Sequence, residues 1–168
     1  MSVEKPLAGL KVADFSMVYA GPICARMLSD CGASVTKIEP LGAGDTVRGN
    51  GRIFAHFNAG KSSVQIDLGS TEGQELAHRL IDEADVVIEN YRPGVMQRFG
   101  LDYASVKERR PDLVYCSISG FGQSGPAAQR AAYAPVAHAA SGYDIAHMRA
   151  QIHDDTQVGE NDRPPASG

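Results

Sequence analysis

The sequence contains no apolar run approaching the roughly 20 residues of a membrane-spanning helix, so no bilayer partner is expected. Its opening, MSVEKPLAGL, lacks the apolar stretch of a secretory signal, and the expected location is cytoplasmic. Cysteine is scarce. Cys24, Cys31 and Cys116 are scattered and form no CxxC, which suits reduced small hydrophobes rather than a redox or metal site. A one-signed charge excess is also lacking: the net charge is −4 with 21% charged residues, which excludes both a nucleic-acid stripe and a disordered chain. Neither GxGxxG nor GxxxxGK[ST] occurs, which disfavours a plain dinucleotide site. No HExxH occurs either. His56, His78, His138, His147 and His153 lack metal-ligand spacing and read as packed or solvated histidines, with no metal expected.

What is present suits a single α/β domain. The chain has 168 residues, 43% of them hydrophobic, enough for a real core. Short β-branched runs at 11–15, 34–38, 63–67, 85–89 and 112–118 are predicted strands, each apolar as in a parallel sheet buried on both faces. Helical patterns separate them. GPICARMLSDCGA has Pro22 suited to a first turn and Gly32 suited to the helix end. STEGQELAHRLIDEA has a cap at Ser70 or Thr71 and a stripe of Leu76, Leu80 and Ile81. A short helix is predicted around 102–110, and another over AAYAPVAHAASGYDIAHM with Pro135 near its start. The β-α-β alternation predicts an open, doubly wound sheet. Two segments read differently. Residues 41–62 are Gly-rich and basic and read as a long loop, while composition alone makes 150–168 a disordered polar terminus.

The candidate chemistry gathers at predicted strand ends, where open α/β sheets bind ligands. In VVIENYRPG (86–94), Asn90 offers a donor and an acceptor, Tyr91 a stacking face and Arg92 a planar cation. Pro93-Gly94 opens a helix whose N-terminus attracts anions. The stretch suits a nucleotide-like ligand, or simply a strand-to-helix turn with solvated polar residues. Gly42, Gly44, Gly49 and Gly51 surround Asp45, Arg48 and Arg52; they admit a ligand phosphate paired with the arginines, or form a flexible excursion. FGQSGP at 121–126 reads as an acyl-admitting loop or an ordinary turn.

The motifs are more specific in combination. PLAGLKVADFSMVYAGP, GASVTKIEPLGAGDTVRG, N-x-GKSSVQIDL, ADVVIENYRPGVMQRFGLDY and PDLVYCSISGFGQSGP follow one another in this order. The sequence resembles the class III coenzyme A transferase (CaiB/BaiF) family, which includes formyl-CoA transferase and α-methylacyl-CoA racemase. The resemblance runs from about Pro6 to Gly142 and more loosely beyond. It implies an open, mostly parallel Rossmann-like sheet with helices on both faces, with coenzyme A or acyl-CoA as substrate rather than any prosthetic group. It also implies a carboxylic acid as the second substrate.

By motif match, Asn90, Tyr91 and Arg92 line the CoA site, Ile66 and Leu68 flank the adenine, and Arg98 reaches the phosphates. A basic family position falls on Pro40 here, so that phosphate contact is missing. Tyr19 and Ala20-Gly21 fall near the acyl end, and Tyr133 matches a tyrosine beside the reacting centre of the transferases. The racemases resemble Gly-His-Asp where this chain has Ala132-Tyr133-Ala134, which favours the transferase branch over a racemase. The transferases use an aspartate nucleophile that follows a segment resembling RPPASG, and Asp144, Asp154, Asp155 and Asp162 do not match its position. The resemblance therefore implies an N-terminal fragment: a CoA-binding α/β domain over 1–148 and a polar tail over 149–168 leading to the rest of the family fold. Such a fragment is expected to be inactive alone, a CoA-binding remnant that leaves Val136, Ile145 and Met148 uncovered. Full-length members are expected to be interlocked homodimers.

Overall fold

The structure is a computed structural model that describes residues 5–158, with side chains to residue 151. It divides into two compact units, 1–129 and 130–168. RPPASG and Asp162 lie outside the described residues, as do the side chains of Asp154 and Asp155.

The first unit holds β1 (Lys11–Asp14), α1 (Ala20–Asp30), β2 (Ser34–Glu39), a 3-10 turn (Thr46–Gly49), α2 (Gly51–Asn58) and β3 (Ser62–Gln65). Then follow α3 (Thr71–Glu83), β4 (Val86–Glu89), α4 (Val95–Arg98), α5 (Tyr103–Val106) and β5 (Val114–Ser117). The five strands pair in parallel in the order β3-β2-β1-β4-β5. This is the predicted fold class. Pleat alternation divides the core. Val12, Val35 and Ile88 meet Ala25 of α1 on one face. Ala13, Ile38 and Val87 meet Ala77 and Ile81 of α3 on the other. Ser70 caps α3 by accepting a hydrogen bond from the Gly73 N–H at 3.0 Å.

Three expectations are corrected. First, the strands are not uniformly buried and apolar. β3 and β5 are edges with no fully buried side chain, and the interior β2 carries buried Lys37 and Glu39, each 1% exposed. Second, the segment read as the loop 41–62 contains the 3-10 turn and the eight-residue helix α2. Flanking Gly49 and Gly51 hide the helical pattern, but Asn50 caps α2 through the Ile53 N–H, and partly buried Ile53 and Phe57 give it an inner face. Third, α4 is a single turn of four residues, too short for the anion-attracting helix terminus expected after Pro93-Gly94.

In the second unit the single predicted helix is two, α6 (Ala134–Ser141) and α7 (Tyr143–Val158). Gly142 divides them with φ 73°, a left-handed conformation that a side chain would disfavour; its N–H closes α6 onto Ala139 O. The polar segment from residue 150 continues α7 as far as Val158 rather than starting a disordered tail, because no Gly or Pro interrupts Tyr143–Val158. No residue of 130–151 is buried; Ile145 and Met148 are 53% and 55% exposed, and Val136 is half-buried.

Candidate functional site

The strand order reverses direction beside β1, so the carboxyl ends of β1 and β4 border the natural crevice of the sheet. Side chains from four elements converge on the loop that leaves β1. Asp14 accepts from the Ser16 N–H at 3.0 Å and from the Ser16 hydroxyl. Lys37 Nζ, from β2, donates to Ser16 O at 2.7 Å and pairs with Asp45 at 3.0 Å. The Asn90 amide, beyond β4, accepts from the Met17 N–H at 2.8 Å and donates to Met17 O at 2.7 Å. These two bonds extend the β1–β4 pairing beyond the Phe15 N–H to Ile88 O bond. The Val18 N–H is shared between both Asp45 carboxylate oxygens. Val18 itself has φ 71°, a left-handed conformation that costs a β-branched residue roughly 1–2 kcal/mol.

A second buried pair braces the same region. Lys61 Nζ lies 2.8 Å from Asp14 Oδ2 and donates to Pro22 O and Asn58 Oδ1, each at 2.9 Å. Burial pulls the Lys61 ammonium below its usual range, and Asp14 partly restores it. Glu39 accepts from the Arg48 guanidinium, the Ser63 hydroxyl and the Asp45 N–H. Burial pushes the Glu39 carboxyl up, but those bonds outweigh it and hold it at about 2. Arg48, over the Phe54 ring at 4.0 Å, is therefore engaged within the protein rather than held for a ligand phosphate.

The predicted contact residues separate into distinct surroundings. Ile66, Leu68 and Tyr91 come together in one mainly apolar cleft of about 260 Å³ at the ends of β2, β3 and β4, closed by Pro40, Val95 and Phe99. Ile66 is a core residue, Leu68 is half-buried, and burial raises the Tyr91 phenol above its usual value. Arg98 is exposed on α4, between the cleft residues Val95 and Phe99. Arg92 lines a second groove, of about 340 Å³, with Glu89, Met96, Tyr103, Tyr115 and Ser117. Glu89 there is 5% exposed, and burial raises its carboxyl pKa against the opposing effects of the Ser117 hydroxyl and the Tyr91 N–H. Asn90, Tyr91 and Arg92 are thus consecutive but serve three places: the β1 loop, the apolar cleft and the groove beside β5.

Tyr19 precedes α1, is 47% exposed as a residue, and stands edge-on to Phe57 with ring centroids 5.2 Å apart. No side chain caps α1. Gly21 lies so close to the preceding loop that an added Cβ would fall 2.1 Å from Ser16 Cβ. Tyr133 belongs to the second unit, where it precedes α6 and is 70% exposed. Sequence reading missed the Asp14–Lys61 and Lys37–Asp45 pairs. Their one local signal is the charge of Asp14 and Lys37 inside strands β1 and β2.

A parallel sheet with a reversal in strand order and a cleft beyond its strand ends defines an open, doubly wound α/β domain. Residues 7–164 match the family model described as CoA-transferase family III, and the chain belongs to that family. It is 40% identical over 150 residues to human succinyl-CoA:glutarate CoA-transferase, covering 84% of this chain and 34% of that protein. It is 39% identical over 148 residues to the formyl-CoA:oxalate CoA-transferase of Escherichia coli O139:H28, covering 83% and 36%. A CaiB/BaiF family protein from Brucella suis superposes with a TM-score of 0.75 at 43% identity, over 78% of this chain and 38% of that one. A hypothetical protein from Mycobacterium tuberculosis gives 0.79 at 37% identity, over 83% and 40%. The chain spans about a third of the length of the curated relatives it matches.

Proposed function

We infer that this chain carries the coenzyme A-binding part of a CoA-transferase, which moves CoA from an acyl-CoA to a carboxylic acid. The observation that carries this reading is the apolar cleft of Ile66, Leu68 and Tyr91 beyond the strand ends of a chain belonging to CoA-transferase family III. In this reading Ile66 and Leu68 flank the adenine and Tyr91 closes its site. The exposed cations Arg98 and Arg92 serve the phosphates. Asn90 acts indirectly, since both its amide atoms are spent on Met17. Tyr19 and the first turn of α1 stand near the acyl end, and Tyr133 serves the reacting centre.

The reaction follows an aspartyl route, with the aspartate supplied by sequence beyond Gly168. Its carboxylate attacks the thioester carbonyl, the C–S bond breaks, and the CoA thiolate leaves an aspartyl–acyl anhydride. The thiolate then attacks the aspartyl carbonyl and releases the donor acid. The acceptor carboxylate attacks the resulting aspartyl thioester and displaces the thiolate. The thiolate finally attacks the acceptor's carbonyl in the new anhydride, giving the new acyl-CoA and restoring the aspartate. The whole protein in this reading is a cytoplasmic homodimer. Calorimetric titration of this chain with CoA, and mass spectrometry of the full-length protein mixed with an acyl-CoA and candidate acids, test the reading. Saturable CoA binding supports it, and the 168-residue chain is expected to bind without exchange. Loss of α-proton stereochemistry without exchange would favour a racemase instead.

A further inference from the structure

The loop between β1 and α1 is tied more heavily than a short connection requires. Ser16, Met17 and Val18 are each hydrogen-bonded to buried or partly buried side chains: their N–H groups donate to Asp14, Asn90 and Asp45, while Lys37 and Asn90 donate to the carbonyls of Ser16 and Met17. The charged members, Asp14, Lys37 and Asp45, are at most 1% exposed. Val18 is the strained point. Its φ of 71° is held by one N–H bond bifurcated onto Asp45, at 3.2 and 3.1 Å. Asp45 cannot drift, because Lys37 Nζ holds its Oδ2 at 3.0 Å and its own N–H is bound to Glu39 at 2.8 Å. The same Lys37 Nζ holds Ser16 O, so loop and carboxylate are referenced to one atom of the sheet.

Immediately after the strained residue come Tyr19, half-exposed, and Gly21, packed against Ser16. The geometry points to Asp45 as a positioning residue that holds Val18 in its left-handed conformation and thereby sets the place of Tyr19 and the first turn of α1 for an acyl-CoA. This rests on the reading of Tyr19 as a neighbour of the acyl end. The competing view is that Asp45 merely neutralises Lys37 and caps the 3-10 turn by accepting from the Val47 N–H at 3.1 Å, in which case the conformation of Val18 is incidental.

Those views differ in what rescues the loss of Asp45. Glycine reaches left-handed φ without strain, so Val18→Gly should restore the loop where nothing holds it, but should do nothing for an unpaired Lys37. Asp45→Ala, Asp45→Asn and the double variant Val18→Gly/Asp45→Ala are to be compared in the 168-residue chain. Two measurements apply: amide exchange by NMR, and calorimetric binding of acetyl-CoA. Asp45→Ala is expected to speed exchange at Val18 by about tenfold or more, while the Val87 and Ile88 amides keep their protection. Acetyl-CoA binding is expected to weaken about tenfold in Asp45→Ala, less in Asp45→Asn, which keeps one acceptor, and to recover to within about threefold in the double variant. Unchanged Val18 exchange in Asp45→Ala overturns the inference, as does a double variant that binds as weakly as Asp45→Ala. If Asp45→Ala fails to fold, Asp45→Asn carries the exchange comparison, with Val18→Gly/Asp45→Asn as its rescue. If the unsubstituted chain binds no acetyl-CoA, the CoA reading fails. The exchange measurement then decides whether Asp45 holds the turn: loss at Val18 that extends to Ile23, whose N–H donates to Tyr19 O, supports it, and loss confined to Val18, or none, overturns it.

Discussion

Lys61→Met isolates the buried charge pair that braces the strand ends. Lys61 Nζ and Asp14 Oδ2 are 2.8 Å apart, with side chains 1% and 0% exposed, so water screens neither. Removing the ammonium leaves the Asp14 carboxylate with only Ser16 as partner and takes one donor from Pro22 O and from Asn58 Oδ1. Breaking a buried pair from one side costs about 3–5 kcal/mol, a large share of the roughly 5–15 kcal/mol that stabilises an ordinary domain. Asp14→Asn keeps a single acceptor oxygen, so either Ser16 or the Lys61 ammonium faces an NH2 donor and the ammonium loses its counter-charge; it too should cost about 3–5 kcal/mol. The double variant Lys61→Met/Asp14→Asn buries no unpaired charge. Its cost should therefore fall short of the two singles summed by about 1.5 kcal/mol or more. Urea denaturation followed by circular dichroism gives the three values at a common slope. A loss below about 1 kcal/mol in Lys61→Met, or strict additivity in the double variant, would refute the reasoning.

Two further outcomes are expected. The Glu39 carboxyl moves from 4.5 unfolded to about 2 folded, so its stabilisation is fully present above about pH 4.5 and disappears as pH falls through about 2. Acid denaturation of Glu39→Gln should accordingly be flatter across that window than that of the unsubstituted chain. Among the thiols, exposed Cys31 should react first with a disulfide reagent; Cys116, raised by burial and by contact with Cys24, should lag until unfolding, and equal rates would contradict the packing.

The sheet was legible because its signal is local. The runs around Val12, Val35, Val87 and Tyr115 are short, apolar and separated by helical patterns, and strand ends shifted by at most a few residues. The charged network was not legible, since hydrophobic patterning gives no reason to bury Lys37 or Glu39 in a strand. Their partners Asp45 and Arg48, and Lys61 as the partner of Asp14, come from other segments and meet them only after folding. Helix α2 was obscured by glycines at 49 and 51, although Asn50 was a readable cap. Ile66, Leu68 and Tyr91 share one cleft although they leave β3 and β4, which are not neighbours in the sheet. The different directions of Asn90, Tyr91 and Arg92 were hidden, because three consecutive residues leaving a strand turn with the backbone and cannot be aimed from their types alone.

Whether the cleft beyond β2, β3 and β4 is the coenzyme A site is decided by calorimetric titration of CoA into the chain and into Leu68→Asp, a half-buried position on the cleft wall. Saturable binding by the unsubstituted chain, weakened at least about tenfold by the carboxylate at 68 with the melting temperature little changed, is the expected result. No saturable binding, or equal affinity in the two proteins, would place coenzyme A elsewhere or nowhere on this chain.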